Sequence, residues 1–160
     1  MSETHEQALV RRQGEYEAHA ALFSGLPGAA SLVAAYDGWA PSFHDAELLD
    51  LQLSAAVDKS RLRISNPYPT IFDRGRLIVT LTLGEVVDVD LQHFLRTNIL
   101  SRLRVLPATQ RPERAGHHRK LLETDLELEL ESSVGASRFI ICSGVAVSWR
   151  KDRRARQGDI

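Results

Sequence analysis

Hydrophobic and polar positions change their spacing once along this chain. Residues 3–23 are polar and rich in Glu, Gln and Ala, which predicts a weakly helical N-terminal extension. Helix formers follow from Ala29 to Tyr36, and Asp37-Gly38 supplies a left-handed stop. From residue 47 the apolar positions recur every second residue, which is typical of strands with one buried face.

The alternating stretches predict antiparallel strands, because almost none of their connections is long enough for a helical crossover. They cover residues 47–57, 61–65, 76–83 with a continuation to 91 after a bend at Gly84, 100–106, 124–131 and 139–149. Residues 98–106 also fit a helical pattern, and we favour a strand from about residue 100. The resulting prediction is an α+β fold, an antiparallel meander sheet of five to six strands with the N-terminal helix packed on one face.

Composition and charge narrow the class of protein. A chain of 160 residues with 43% hydrophobic and 26% charged residues is typical of one globular domain, so we expect a single domain over 1–160 with a flexible basic tail at 150–160. The net charge of -1 argues against a general nucleic-acid or membrane binder. Without a signal-peptide layout or a long apolar run, we expect a cytoplasmic bacterial protein.

The single cysteine, Cys142, lies in the apolar run Phe139 to Ser143. One cysteine excludes an internal disulfide and a cysteine-rich zinc site. Its surroundings favour a buried, inert thiol over a nucleophile.

The most unusual segment joins the predicted helices to the first strand. Its distinctive residues are Trp39, Pro41, Phe43, His44, Asp45 and Glu47. Imidazole and carboxylate groups are ligands for zinc or manganese, so one interpretation is a metal or acid/base site. On a strand, however, His44 and Asp45 would face opposite sides, and the other histidine donors would be His93, His117 and His118. We favour a structural role at a tight junction.

The same segment carries a family resemblance. The string Trp-x-Pro-Ser-Phe-His-Asp-Ala-Glu, followed directly by an alternating strand, resembles the opening of immunity-protein family fifty of bacterial polymorphic-toxin systems. Residues Gly84 to Leu91 are similar, with one residue extra, to the family's later Gly-Val-x-Asp-x-x-Leu pattern. The resemblance implies a small α+β protein that binds and neutralises a cognate toxin without being an enzyme. It supplies no catalytic residues, and the N-terminal extension and basic tail depart from the family's compact pattern.

A ladder of acidic residues alternates with leucines near the C-terminal end of the sheet. Its members are Glu123, Asp125, Glu127, Glu129 and Glu131. Because alternate side chains share one face of a strand, they predict either an acidic surface that docks a basic partner or a solvated face with cross-strand ion pairs. Arg102, Arg104 and Arg138 have suitable positions for such pairs.

Three functions remain open from the sequence. The first is a non-enzymatic binding module with the acidic ladder as its contact surface and no cofactor. The second is a small metal-dependent enzyme centred on His44, Asp45 and Glu47. The third is a self-associating protein, for instance a homodimer formed through an exposed edge strand or the Trp149 region.

Overall fold

The computed structural model describes residues 2–67, 75–91, 99–108, 119–133 and 137–152. Within these ranges the chain forms two helices and eight strands. The helices are α1 (His5–Ser24) and α2 (Ala29–Ala35). The strands are β1 (Glu47–Gln52), β2 (Ser60–Pro67), β3 (Arg76–Leu83), β4 (Val86–Asp90), β5 (Leu100–Pro107), β6 (Leu126–Ser132), β7 (Ser137–Cys142) and β8 (Val145–Lys151).

Helix α1 packs through its second half. Thr4 and Gln7 form a reciprocal capping box that satisfies two free N–H groups and starts the helix. The first ten residues of α1 are mostly exposed, whereas His19 and Phe23 are buried against the sheets. The predicted N-terminal helix on the sheet is therefore confirmed, with its packing confined to the C-terminal half.

The sheet prediction is confirmed as antiparallel but is wrong in its layout. The strands form two sheets of four, sheet A in the order β1-β2-β3-β8 and sheet B in the order β4-β7-β6-β5. A meander would pair each strand with the next one along the chain, but β3 pairs with β8 and β4 with β7. Alternation within a strand does not encode such distant partners, which is why the sequence favoured one sheet.

Both chain connections between the two sheets contain a glycine. The chain leaves β3 for β4 at Gly84 and leaves β7 for β8 at Ser143-Gly144. The Gly84 N–H donates to the Gly144 carbonyl at 2.9 Å, and the hydroxyl of Ser143 accepts the N–H of Glu85 at 2.7 Å. A Cβ on Gly84 would lie 2.3 Å from the Ser143 Oγ, so a side chain there would clash. The stretch 139–149, predicted as one strand, is thus divided between two sheets.

The main core lies between the sheets. In β3 the predicted inward positions Leu77, Val79, Leu81 and Leu83 are fully buried. In β1 the predicted inward position Leu49 is wrong, because the pairing with β2 shifts between Leu48 and Asp50, whereas Leu51 packs against the core as predicted. Leu48 is buried while Leu49 is 40% exposed, as expected when a bulge inserts one extra residue between two inward-facing positions.

No helix among the described residues combines the length and the hydropathy that crossing a bilayer requires.

Candidate functional site

The segment after Trp39 covers the open edge of β5. Two hydrogen bonds join Leu100 to this segment, one from the Asp45 N–H at 3.0 Å and one to the Ala46 carbonyl at 2.8 Å. The N–H of Leu103 donates to the Ser42 carbonyl at 3.0 Å. Along β5, the next N–H that points to this edge belongs to Val105. The next position of the same orientation is Pro107, which has no N–H that needs an acceptor. The backbone of the motif therefore replaces a neighbouring strand.

The side chains of the motif fall into two groups. Pro41 and Phe43 are buried, and the Phe43 ring packs edge-on against Phe23 with centroids 5.8 Å apart. Trp39 is 67% exposed. His44 and Asp45 form a turn rather than a strand, and their side chains meet at 3.1 Å while both remain more than two thirds exposed.

The described residues contain no group of three or more metal-ligating side chains. Glu47, which begins β1, is half-buried, and its backbone forms an isolated bridge with Ile99. The other proposed donors, His93, His117 and His118, lie outside the described residues, as does the basic tail beyond Asp152.

Sequence reasoning missed His19, which is the buried link between three parts of the fold. Its Nδ1 accepts the N–H of Val105 at 3.0 Å, and its Nε2 lies 3.0 Å from the Pro41 carbonyl. A nitrogen that accepts from an amide carries no proton, so Nε2 holds the proton and donates it to Pro41. Burial lowers the pKa of His19, the bond to Pro41 partly opposes this, and the charge of Arg104 lowers it further.

The acidic ladder differs from the solvated face that the alternation predicted. Asp125, Glu127 and Glu129 are buried, and only Glu123 and Glu131 keep substantial exposure. The reason is that both faces of sheet B are covered: a second apolar cluster of Val87, Ala108 and Ile141 lies on the side opposite the main core.

The predicted cross-strand ion pairs of the ladder are present on β5. Arg102 faces Glu131, with Nε 2.6 Å from Oε2, and Arg104 faces Glu129 at 2.7 Å. Arg138 is buried on β7, opposite Leu130. Asp125 accepts two hydrogen bonds from the Arg119 guanidinium at 2.7 and 2.9 Å, which hold the pKa of that carboxyl below its usual value.

An open groove of about 560 Å³ lies between α1, the segment after Trp39 and β5. We call it the arginine groove, since Arg11, Arg12, Arg102 and Arg104 line it together with Tyr16 and His44. The Tyr16 hydroxyl is fixed because it donates to the Ala40 carbonyl at 2.9 Å. The groove thus combines four guanidinium groups with an aromatic ring at the point where the motif meets α1.

Glu15 is the central acid of this arrangement. Its carboxylate accepts from Arg11 at 2.9 Å and from Arg102 at 2.7 Å, and it lies 3.4 Å from Arg104. Partial burial acts to raise the pKa of Glu15, but the hydrogen bonds from Arg102 and Arg11 outweigh it and the pKa is lowered. The carboxylate is therefore charged at neutral pH and fastens α1 to β5.

Cys142 is buried, as the sequence predicted, and burial raises the pKa of its thiol to about 12. A thiol with that pKa is protonated at physiological pH and is a poor nucleophile.

Comparisons of this chain with models of known protein families, with curated proteins and with solved structures found no match.

Proposed function

We propose that this chain is a non-enzymatic protein-binding module that neutralises a partner protein, in the manner of the immunity proteins that its Trp39–Glu47 motif resembles. The observation that supports this is the composition of one surface. Arg, Tyr and Trp are the residues most enriched at the energetic centres of protein interfaces. Four arginines and Tyr16 line the arginine groove, and the exposed Trp39 directly precedes Ala40, to which the Tyr16 hydroxyl is bonded.

The proposed contact surface consists of the arginine groove, Trp39 at its motif side and the exposed first half of α1. Trp39 offers a large exposed ring, and Leu9 and Val10 on α1 are also exposed. Tyr16 is a rigid aromatic whose hydroxyl is already held by the protein. A partner that covers these groups would bury apolar surface next to guanidinium hydrogen-bond donors. Specific protein interfaces usually combine these two kinds of contact.

The acidic ladder is not part of this contact surface, apart from Glu131. Burial of Asp125 and Glu129, and their ion pairs with Arg119 and Arg104, leave little free carboxylate for a basic partner. Glu131 is the ladder member that reaches the arginine groove, where it pairs with Arg102. A toxin partner therefore needs acidic or polar groups, as well as apolar ones, to match this surface.

The test is co-expression of this chain with a toxin gene encoded beside its own. Protection of the host and co-purification of a complex would support the proposal. The variants Trp39→Ala and Arg12→Glu should weaken both, because each changes an exposed group of the contact surface without touching the core. Val57→Ala is the matched control, since Val57 is an exposed apolar residue in the β1–β2 connection.

Protection that is equally strong with Trp39→Ala and Arg12→Glu would refute the proposed surface. The absence of both protection and complex with every neighbouring toxin would refute the proposed function. Light scattering of the purified complex would separate a toxin partner from a second copy of this chain.

A further inference from the structure

We propose that the arginine groove recognises an acidic side chain, Asp or Glu, on the bound polypeptide. This inference rests on the proposed function, because it names the chemistry that the partner presents. It is carried by two hydrogen-bond donors of the groove that have no internal acceptor among the described residues, and by the carboxylates that the neighbouring guanidinium groups already bind.

The chain itself shows what these arginines accept. The Glu15 carboxylate is shared among the guanidinium groups of Arg11, Arg102 and Arg104. A guanidinium group offers five N–H donors in a planar fork, whereas a carboxylate offers two acceptor oxygens. Three other carboxylates share the same groups, because Glu3 accepts from Arg11, Glu131 from Arg102 and Glu129 from Arg104. The donors that a ligand can use are therefore those that these four carboxylates leave free.

Two of these remaining donors are notable. The Nε–H of Arg104 is buried and has no acceptor among the residues that the structure describes. Arg12 lines the groove, is exposed, and forms no ion pair within the described part of the chain. A buried guanidinium N–H without an acceptor is unfavourable, and an oxyanion from a ligand is the group that best relieves it.

The size of the groove fits a peptide segment. About 560 Å³ accommodates several side chains, and Ser42 and Ser101 add hydroxyl groups to the lining. An incoming Asp or Glu would thus meet the free donors of Arg12 and Arg104, while the rest of its segment lies over Tyr16. In this arrangement Glu15 is an internal competitor, because it uses donors that the ligand would otherwise take.

That competition gives the proposal a direct test. The full chain is titrated separately with a capped hexa-glutamate peptide, a capped hexa-glutamine peptide and inorganic phosphate. Binding is measured from the changes in amide chemical shifts in NMR spectra. We expect the glutamate peptide to perturb residues around the groove and the glutamine peptide to leave them unchanged. Glu15→Gln should tighten binding about fivefold and Arg12→Gln should weaken it about fivefold, the size of one exposed ion pair.

Glu17→Gln is the control for Glu15→Gln, because it makes the same change of charge on the exposed side of α1, where Glu17 pairs only with Gln13 among the described residues. It should change the affinity less than twofold. Affinity that responds equally to Glu17→Gln and Glu15→Gln, or that ignores Arg12→Gln, would overturn the inference. Phosphate that binds the groove more tightly than the glutamate peptide would also overturn it, in favour of a free anion as ligand.

The outcomes separate this inference from the proposed function. If the Arg12→Gln and Glu15→Gln variants form a toxin complex with wild-type affinity, the proposed binding function is supported and recognition of an acidic side chain by the groove is refuted. If the glutamate peptide binds the groove but no toxin complex forms, recognition of an acidic side chain is supported and the proposed toxin-binding function is refuted.

Discussion

Replacing His19 with Phe tests whether one buried imidazole holds α1, the motif and β5 together. The Phe ring retains the packing that His19 has against Phe23, whose ring centroid lies 5.5 Å away. It removes both nitrogens, so the Val105 N–H and the Pro41 carbonyl lose their partners in a buried environment. Each unsatisfied buried group costs about 1 to 3 kcal/mol. We therefore expect the free energy of unfolding to fall by about 2 to 6 kcal/mol at pH 8.

The same residue predicts a pH dependence with a definite sign. The pKa of His19 is lowered in the folded protein, chiefly by burial, so the unfolded chain binds its proton more readily. The contribution of neutral His19 to the free energy of unfolding is complete above the pKa of about 6.5 that histidine has in the unfolded chain. This contribution is lost as the pH falls below that value. The slope cannot exceed about 1.4 kcal/mol per pH unit, the value for one proton. Arg104 is the charged group whose field adds to this lowering.

Urea denaturation of wild type and His19→Phe at pH 8, 7, 6 and 5 measures both effects. The stability gap between the two proteins should be largest at pH 8 and should narrow as the pH falls, because only the wild type has to keep His19 neutral. His44→Phe is the control, since its side chain is 70% exposed and its loss should change stability by less than about 0.5 kcal/mol. A gap below about 1 kcal/mol at pH 8, or one that is constant down to pH 5, would refute the reasoning.

Three further substitutions probe the backbone and a buried ion pair, each by urea denaturation. Gly28→Ala should destabilise the protein by about 2 kcal/mol or more, because Gly28 has φ 80° and a Cβ would lie 2.0 Å from the Val147 carbonyl oxygen; an unchanged midpoint would contradict this. Gly14→Ala should instead stabilise it by about 0.5 to 1 kcal/mol, since nothing lies near that position in α1. Arg119→Met should cost about 3 to 5 kcal/mol by leaving the buried Asp125 carboxylate without a counter-charge and with the Leu122 N–H as its remaining donor among the described residues, and adding Asp125→Asn should recover part of that loss.

Local pattern was sufficient where one face of a strand is buried and its register is unbroken. In β2 and β3 the alternating residues point inward as predicted, for example Leu62, Ile64 and Val79, which are fully buried. The strand favoured from residue 100 over a helix is β5. The burial pattern of these strands follows from the spacing of apolar residues within each strand, and that spacing is what the periodicity of the sequence contains.

Features that depend on distant residues were not predictable from the pattern. The bulge at Leu49 brings Leu48 to the core face in place of Leu49, and no local signal distinguishes it from continued alternation. The carboxylates of β6 were expected in solvent, but Glu129 is buried beside Arg104, whose other neighbour Glu15 comes from α1. His19 lies in a polar helical stretch, and its partners are 22 and 86 residues away.

The bends at Gly84 and Gly144 also determine when the fold can be completed during synthesis. Residues 137–151 supply β7 and β8, the last of the described strands to leave the ribosome, and these strands give β3, β4 and β6 a neighbour. Until they emerge, β3 and β6 each present an unpaired edge, β4 has no partner strand, and the two sheets are joined by a single crossing. A nascent chain stopped before residue 137 therefore exposes two edges at once, which makes premature termination there an aggregation hazard.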